Sequence, residues 1–111
     1  RAVLAAGAWG LMSGADYRIA WRPNASEDLR SIVRYIAQDS PTRARTFGKK
    51  LREKVQPLAQ HPRLGHEGRP GLPAGVRELV LHANYIAFYR VIDTSRTVEI
   101  LRVKHVAQQT P

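Results

Sequence analysis

A chain of 111 residues with an apolar share of 43% has room for one small domain, and too much apolar character for a disordered tail. It contains no cysteine, which excludes disulfides, thiolate nucleophiles and cysteine-ligated metals and suits a reducing, cytoplasmic setting. The formal charge of +9 calls for an anionic partner, whether nucleic acid, an anionic membrane surface or an acidic protein.

The opening RAVLAAGAWGLMSGAD is small, apolar and almost uncharged. Its apolar run is too short to span a bilayer, and one leading arginine makes a poor signal peptide. Met12 is the only methionine, so residues 1–11 read as foreign or upstream sequence, or as a poorly ordered N-terminal extension. Residues 12–111 read as a single domain.

DYRIAWR alternates polar and apolar positions, which predicts a half-buried strand over Tyr17–Arg22. Pro23 ends it, and Asn24 is expected to cap a helix reaching Gln38. Leu29, Ile32, Val33 and Ile36 recur there at helical spacing, and Glu27 and Asp28 are expected in the first turn, where acids suit the helix dipole. Ser40 and Pro41 predict a second helix start, with Phe47, Leu51, Val55 and Leu58 as its apolar stripe down to Gln60. The outer face of that helix holds Arg43, Arg45, Lys49, Lys50, Arg52 and Lys54 against the single acid Glu53. It reads either as a solvated face or as a surface for phosphates or acids.

HPRLGHEGRPGLPAG is a proline- and glycine-rich loop. Three strands are expected after it, near Val76–His82, Tyr85–Asp93 and Thr97–His105, with connections too short for anything but antiparallel neighbours. The order β-α-α-β-β-β predicts an α+β fold, a two-helix hairpin packed on one face of a small, largely antiparallel sheet. A turn at Thr94-Ser95 would place Arg90 opposite Glu99, Phe88 opposite Leu101 and Ile86 opposite Val103. The sheet face away from the helices would then expose apolar side chains and serve as a binding surface.

His61, His66 and His82 match no usual metal-ligand spacing, so neither metal nor cofactor is expected. GHEGRPG lacks the lysine and the strand-to-helix setting of a phosphate-binding loop.

The pieces WRPNASEDLRSIVRYI, LAQHPRLGHEGRPGLPAGVREL, YIAFYRV and VEILRVKH, in that order, resemble the RelE/ParE superfamily of bacterial toxins, and more closely its ParE branch. The resemblance covers Asp16 to about Gln108. It implies a toxin of a type II toxin–antitoxin system, held by an acidic cognate antitoxin. Two activities divide the superfamily: RelE- and YoeB-like members cut messenger RNA on the ribosome, while ParE-like members block DNA gyrase without catalysis.

RNA cleavage without metal needs groups that take and give protons and cations that stabilise the phosphate. Set against the nuclease pattern, Ile86 stands where an arginine is expected, Leu79 where a lysine is, and Val106 near the last cation. The resemblance therefore implies a non-catalytic gyrase inhibitor, with DNA reached through gyrase and ribosome-dependent mRNA cleavage as the alternative. No catalytic residue is assigned. Arg77, Arg90, Arg102, Lys104 and His105 are the expected partner-binding residues.

Overall fold

The computed structural model describes residues 16–68 and 70–108; the expectations for residues 1–11 lie outside them. Strand β1 is Arg18–Trp21 and stops short of Pro23, which has no N–H for a ladder. Helix α1 then spans Pro23–Ala37 with Pro23 in its first turn and Arg22 as an extended N-cap that makes no side-chain capping bond. Asn24 is therefore inside the helix and not its cap, because the preset φ of proline starts the helix at Pro23, two residues earlier than a cap at Asn24 would. Glu27 and Asp28 consequently fall beyond the first turn, which holds no acid.

Ser40 caps helix α2, Pro41–Val55, by accepting the Arg43 N–H at 3.2 Å. The helix ends earlier than its apolar stripe suggests, in a 3-10 turn over Gln56–Ala59. Pro57 is the cause, since it cannot donate to the carbonyl four residues back. At Gly48 a Cβ would sit 2.8 Å from Val33 Cγ2, so glycine permits the close approach of α1 and α2.

The remaining strands are β2 (His66–Glu67), β3 (Arg77–His82), β4 (Tyr85–Ile92) and β5 (Thr97–His105). They form a five-stranded sheet in the order β1-β5-β4-β3-β2. Only β1 and β5 run parallel, with the helix hairpin in the crossover between β1 and the rest. Strand β2 lies in the stretch read from sequence as loop: two residues carry no periodicity to detect.

Arg90 does face Glu99 across the β4–β5 hairpin. An irregularity between Phe88 and Tyr89 then shifts the register, so Phe88 faces Arg102 and Ile86 faces Lys104, not Leu101 and Val103. Leu101 is the extra residue of a β-bulge, and Thr94-Ser95 lies in a 3-10 turn closed by Arg96 at a φ of 47°.

The main core lies between helices and sheet. Leu29, Leu51, Val55 and Leu58 are buried there, and Ile19, Trp21, Ile32, Val33 and Phe47 pack around them half-buried. Ile36 is half-buried and lines a surface groove with Phe47 instead. A second cluster corrects the expectation of an exposed far face. Val76, Ile86 and Phe88 are buried on that side, with Leu72, Leu101 and Val106 packed against them. The loop before β3 and the turn after β5 thus cover the apolar strip that strand alternation alone leaves open.

Candidate partner-binding surface

The five expected cationic positions do not form one ring. Arg77 begins β3 and is largely buried, with its Nε donating to the Gly65 carbonyl at 2.9 Å. Beside it, the buried Tyr89 hydroxyl donates to the Pro62 carbonyl at 2.8 Å and accepts the Gly65 N–H at 2.9 Å. Together they pin the loop before β2. Arg90 projects from the face away from the helices and pairs with Glu99 at 2.7 Å.

Arg102 is tied down more firmly. Strand β1 ends at Trp21, its last partner on β5 being Ile100, so among the described residues no strand pairs with that β5 edge beyond Ile100. Asp28 of α1 takes the place of one. Its carboxylate accepts Arg102 Nε at 2.7 Å, Arg102 Nη2 at 2.9 Å and the Val103 N–H at 2.9 Å. Burial pushes the Asp28 carboxyl up, but the Arg102 and Val103 hydrogen bonds outweigh it and hold the carboxyl below its usual value. The sequence assigns Asp28 only a place near the helix dipole; no local pattern reveals a contact 74 residues away.

Lys104 and His105 do share a surface. With Tyr35, Asn84 and Tyr85 they line a groove of about 800 Å³ between α1 and the end of β5. Tyr35 is 72% exposed at its rim. The His105 ring meets the Tyr85 ring edge-on at 5.3 Å, Tyr85 meets Phe47 at 5.6 Å, and Phe47 meets His82 at 5.2 Å. Burial raises the Tyr85 phenol above its ordinary value, so it stays protonated and can donate a hydrogen bond. Asn84 and Tyr85 also belong to a neighbouring groove of about 440 Å³, which Arg43 and Lys50 border.

The positions set against the nuclease pattern are apolar in their surroundings as well as in identity. Leu79 packs on the main core, and Ile86 and Val106 belong to the second cluster. Among the described residues no group of three or more His, Asp or Glu side chains could hold a metal ion. No helix among them is long and apolar enough to cross a membrane.

Two helices on a mixed five-stranded sheet, with a groove where the hairpin tip meets the last strand, define a small α+β toxin fold of the RelE/ParE superfamily. The family model for the ParE toxin of the type II toxin–antitoxin system, parDE, matches residues 19–110, and the chain belongs to that family. Y4kP of Sinorhizobium fredii, described as a toxin, is 41% identical over 85% of this chain and 93% of its own length. Toxin RelE2 of Caulobacter vibrioides is 33% identical over 82% of this chain and 97% of its own. Among solved structures, the chromosomal ParDE system of P. aeruginosa superposes with a TM-score of 0.67 at 31% identity, covering 80% of this chain and 95% of that one. The RelBE2 toxin–antitoxin complex of Mycobacterium tuberculosis gives 0.54 at 29% identity, covering 82% and 99%.

Proposed function

We propose that this toxin arrests growth by binding DNA gyrase and is neutralised by an acidic cognate antitoxin, in the cytoplasm and without chemistry of its own. The observation that carries this reading is the apolar filling at Leu79, Ile86 and Val106. Ile86 is buried and Leu79 and Val106 are half-buried against apolar side chains, so a cation at these positions is poorly placed to hold a phosphate and costly to keep charged. The partner-contacting surface is the groove of Tyr35, Tyr85, Lys104 and His105, beside which Arg102 ties β5 to α1 through Asp28, while Arg77 and Arg90 engage internal partners elsewhere. The family match and the likeness to a ParDE system support the antitoxin, and the ParE-like residue pattern is what points to gyrase.

Supercoiling of relaxed plasmid by purified gyrase tests the proposal: supercoiling should fall as toxin is added. Undiminished supercoiling at large toxin excess would sink it.

One observation favours the alternative, a ribosome-dependent mRNA endoribonuclease. His105, Tyr85 and Lys104 stand together in an open groove, and an imidazole beside a cation can move a proton and stabilise a phosphate. Primer extension on a transcript after induction separates the two readings. Cuts within codons would establish the nuclease, and intact transcripts with an SOS response would favour gyrase.

A further inference from the structure

The charge of +9 is unevenly spread along the chain. Helix α2 carries six cations, Arg43, Arg45, Lys49, Lys50, Arg52 and Lys54, and one acid, Glu53, a net +5 in 15 residues. All seven side chains are exposed, and among the described residues their one ion pair is Lys49 with Glu53 at 4.0 Å. Helix α1 differs: Arg30 and Arg34 both reach Glu27, at 3.1 and 2.8 Å. A helix face that is merely solvated gains from opposite signs four residues apart, whereas Arg45 and Lys49, and Lys50 and Lys54, repel at that spacing. Arg43 also stands in the first turn, at the positive end of the helix dipole. These repulsions cost the free protein stability, and a bound polyanion relieves them.

At 3.6 residues per turn the cations fall in two rows. Arg43, Lys50 and Lys54 lie on the flank toward β3, where Arg43 and Lys50 rim the groove that His82 also lines. Arg45, Lys49 and Arg52 lie on the flank toward α1, with Arg52 in a groove beside Arg30 and Arg34. Thr42, Thr46 and Glu53 form the strip between the rows, and Thr46 donates its hydroxyl to the Thr42 carbonyl at 3.2 Å. That strip carries no apolar anchor of the kind a stable protein interface has at its centre, and no aromatic ring on which an unpaired base could stack. A helix with its side chains is about 10–12 Å across, and the major groove of B-DNA is about 12 Å wide with a phosphate strand on each side. The deep, narrow major groove of duplex RNA does not admit it.

We propose that the outer face of α2 binds duplex DNA directly, lying along the major groove with one cation row toward each phosphate strand and no base preference. This goes beyond the gyrase reading, in which DNA is reached through gyrase: here the toxin itself holds the duplex. The contacts are to phosphates, so affinity falls steeply as salt rises.

The test titrates the full chain, with no gyrase present, into a labelled short DNA duplex and follows fluorescence anisotropy over a series of salt concentrations. Six engaged cations give a slope of log K against log salt of about −5. Arg43 and Lys50 also rim the groove at Tyr85, so the row toward α1 separates DNA binding from any contact made there. Arg45→Gln, Lys49→Gln and Arg52→Gln together should flatten the slope by about 3 without lowering Tm. Glu53→Gln removes the one acid of the face and should tighten binding, a gain that a damaged fold cannot produce. An unchanged slope in the triple variant, or no tightening on Glu53→Gln, overturns the proposal. Tighter binding to single-stranded DNA or to duplex RNA overturns it in favour of that nucleic acid. Displacement of the duplex by polyglutamate as readily as by unlabelled duplex, at equal charge, overturns it in favour of an acidic protein. Because gyrase is absent, each of these outcomes is separate from the supercoiling assay that decides the gyrase reading.

Discussion

Replacing Asp28 by Ala removes a carboxylate that accepts two hydrogen bonds from the Arg102 guanidinium and one from the Val103 N–H. The side chains are 16% and 27% exposed, so water can replace only part of what is lost. A hydrogen bond to a charged group contributes about 1.5–3 kcal/mol, and a buried N–H left without a partner costs about 1–3 kcal/mol. Arg102 can turn partly to solvent, so these figures do not add in full, and a loss of about 3 kcal/mol is expected. In a domain of this size that lowers Tm by about 12–24 °C. The dependence on pH is a second signature. Because folding depresses the Asp28 carboxyl, its contribution is complete above the unfolded pKa of about 3.9 and disappears as pH falls through the lower folded value. Urea denaturation of wild type and Asp28→Ala should show a constant gap from pH 8 to about pH 5 that narrows below about pH 4. A gap under about 0.5 kcal/mol at pH 7, or one that does not narrow in acid, would refute the role assigned to Asp28.

Leu51 is fully buried, and Leu51→Ala should cost about 2–5 kcal/mol in denaturant melts. Tyr89→Phe keeps the ring but strands the Gly65 N–H and the Pro62 carbonyl, so a loss of about 1–3 kcal/mol is expected, with faster proteolysis between β2 and α2. Ile86→Arg, which supplies the arginine of the nuclease pattern, should lower stability by about 3 kcal/mol or more because its site is buried and apolar. It should yield no mRNA cleavage, and cleavage by this variant would show that the far face opens more readily than its packing implies.

The fold was legible wherever the sequence carries a local period or a local punctuation mark. Ser40-Pro41 starts α2, Ala83-Asn84 joins β3 to β4, and Arg90 meets Glu99 because that pair lies close to the turn. Legibility ended where a distant contact or a single extra residue decided the outcome. The bulge at Leu101 moved every pairing beyond it by one, and nothing in VEILRVKH marks that residue as unpaired. Leu72, in a loop with no periodicity, and Val106, beyond the last expected strand, helped turn an expected binding face into a second core. The same distance effect divides the candidate site. Lys104 and His105 are adjacent in sequence and share a groove, whereas Arg102, two residues before Lys104, is drawn to α1 by Asp28.

That division changes what charge reversal can report. From the sequence alone, Arg102 belongs to the partner surface, and reversing it should weaken antitoxin binding by more than reversing Arg43. In the structure Arg102→Glu sets two carboxylates together where the Asp28 ion pair stood, so weaker binding there would follow from a weaker fold. Arg43 is exposed on α2 at the rim of the groove it shares with Lys50, and its reversal leaves the core untouched. Arg43→Glu with Lys50→Glu should therefore reduce binding of an acidic partner while leaving Tm nearly unchanged, and the reduction should shrink as salt rises. Arg102→Glu should lower Tm first, and lose binding in proportion to the unfolded fraction. Full binding by the α2 double variant, together with weak binding by an Arg102→Glu protein that still melts like wild type, would make Arg102 itself a partner contact and remove Arg43 and Lys50 from the partner surface.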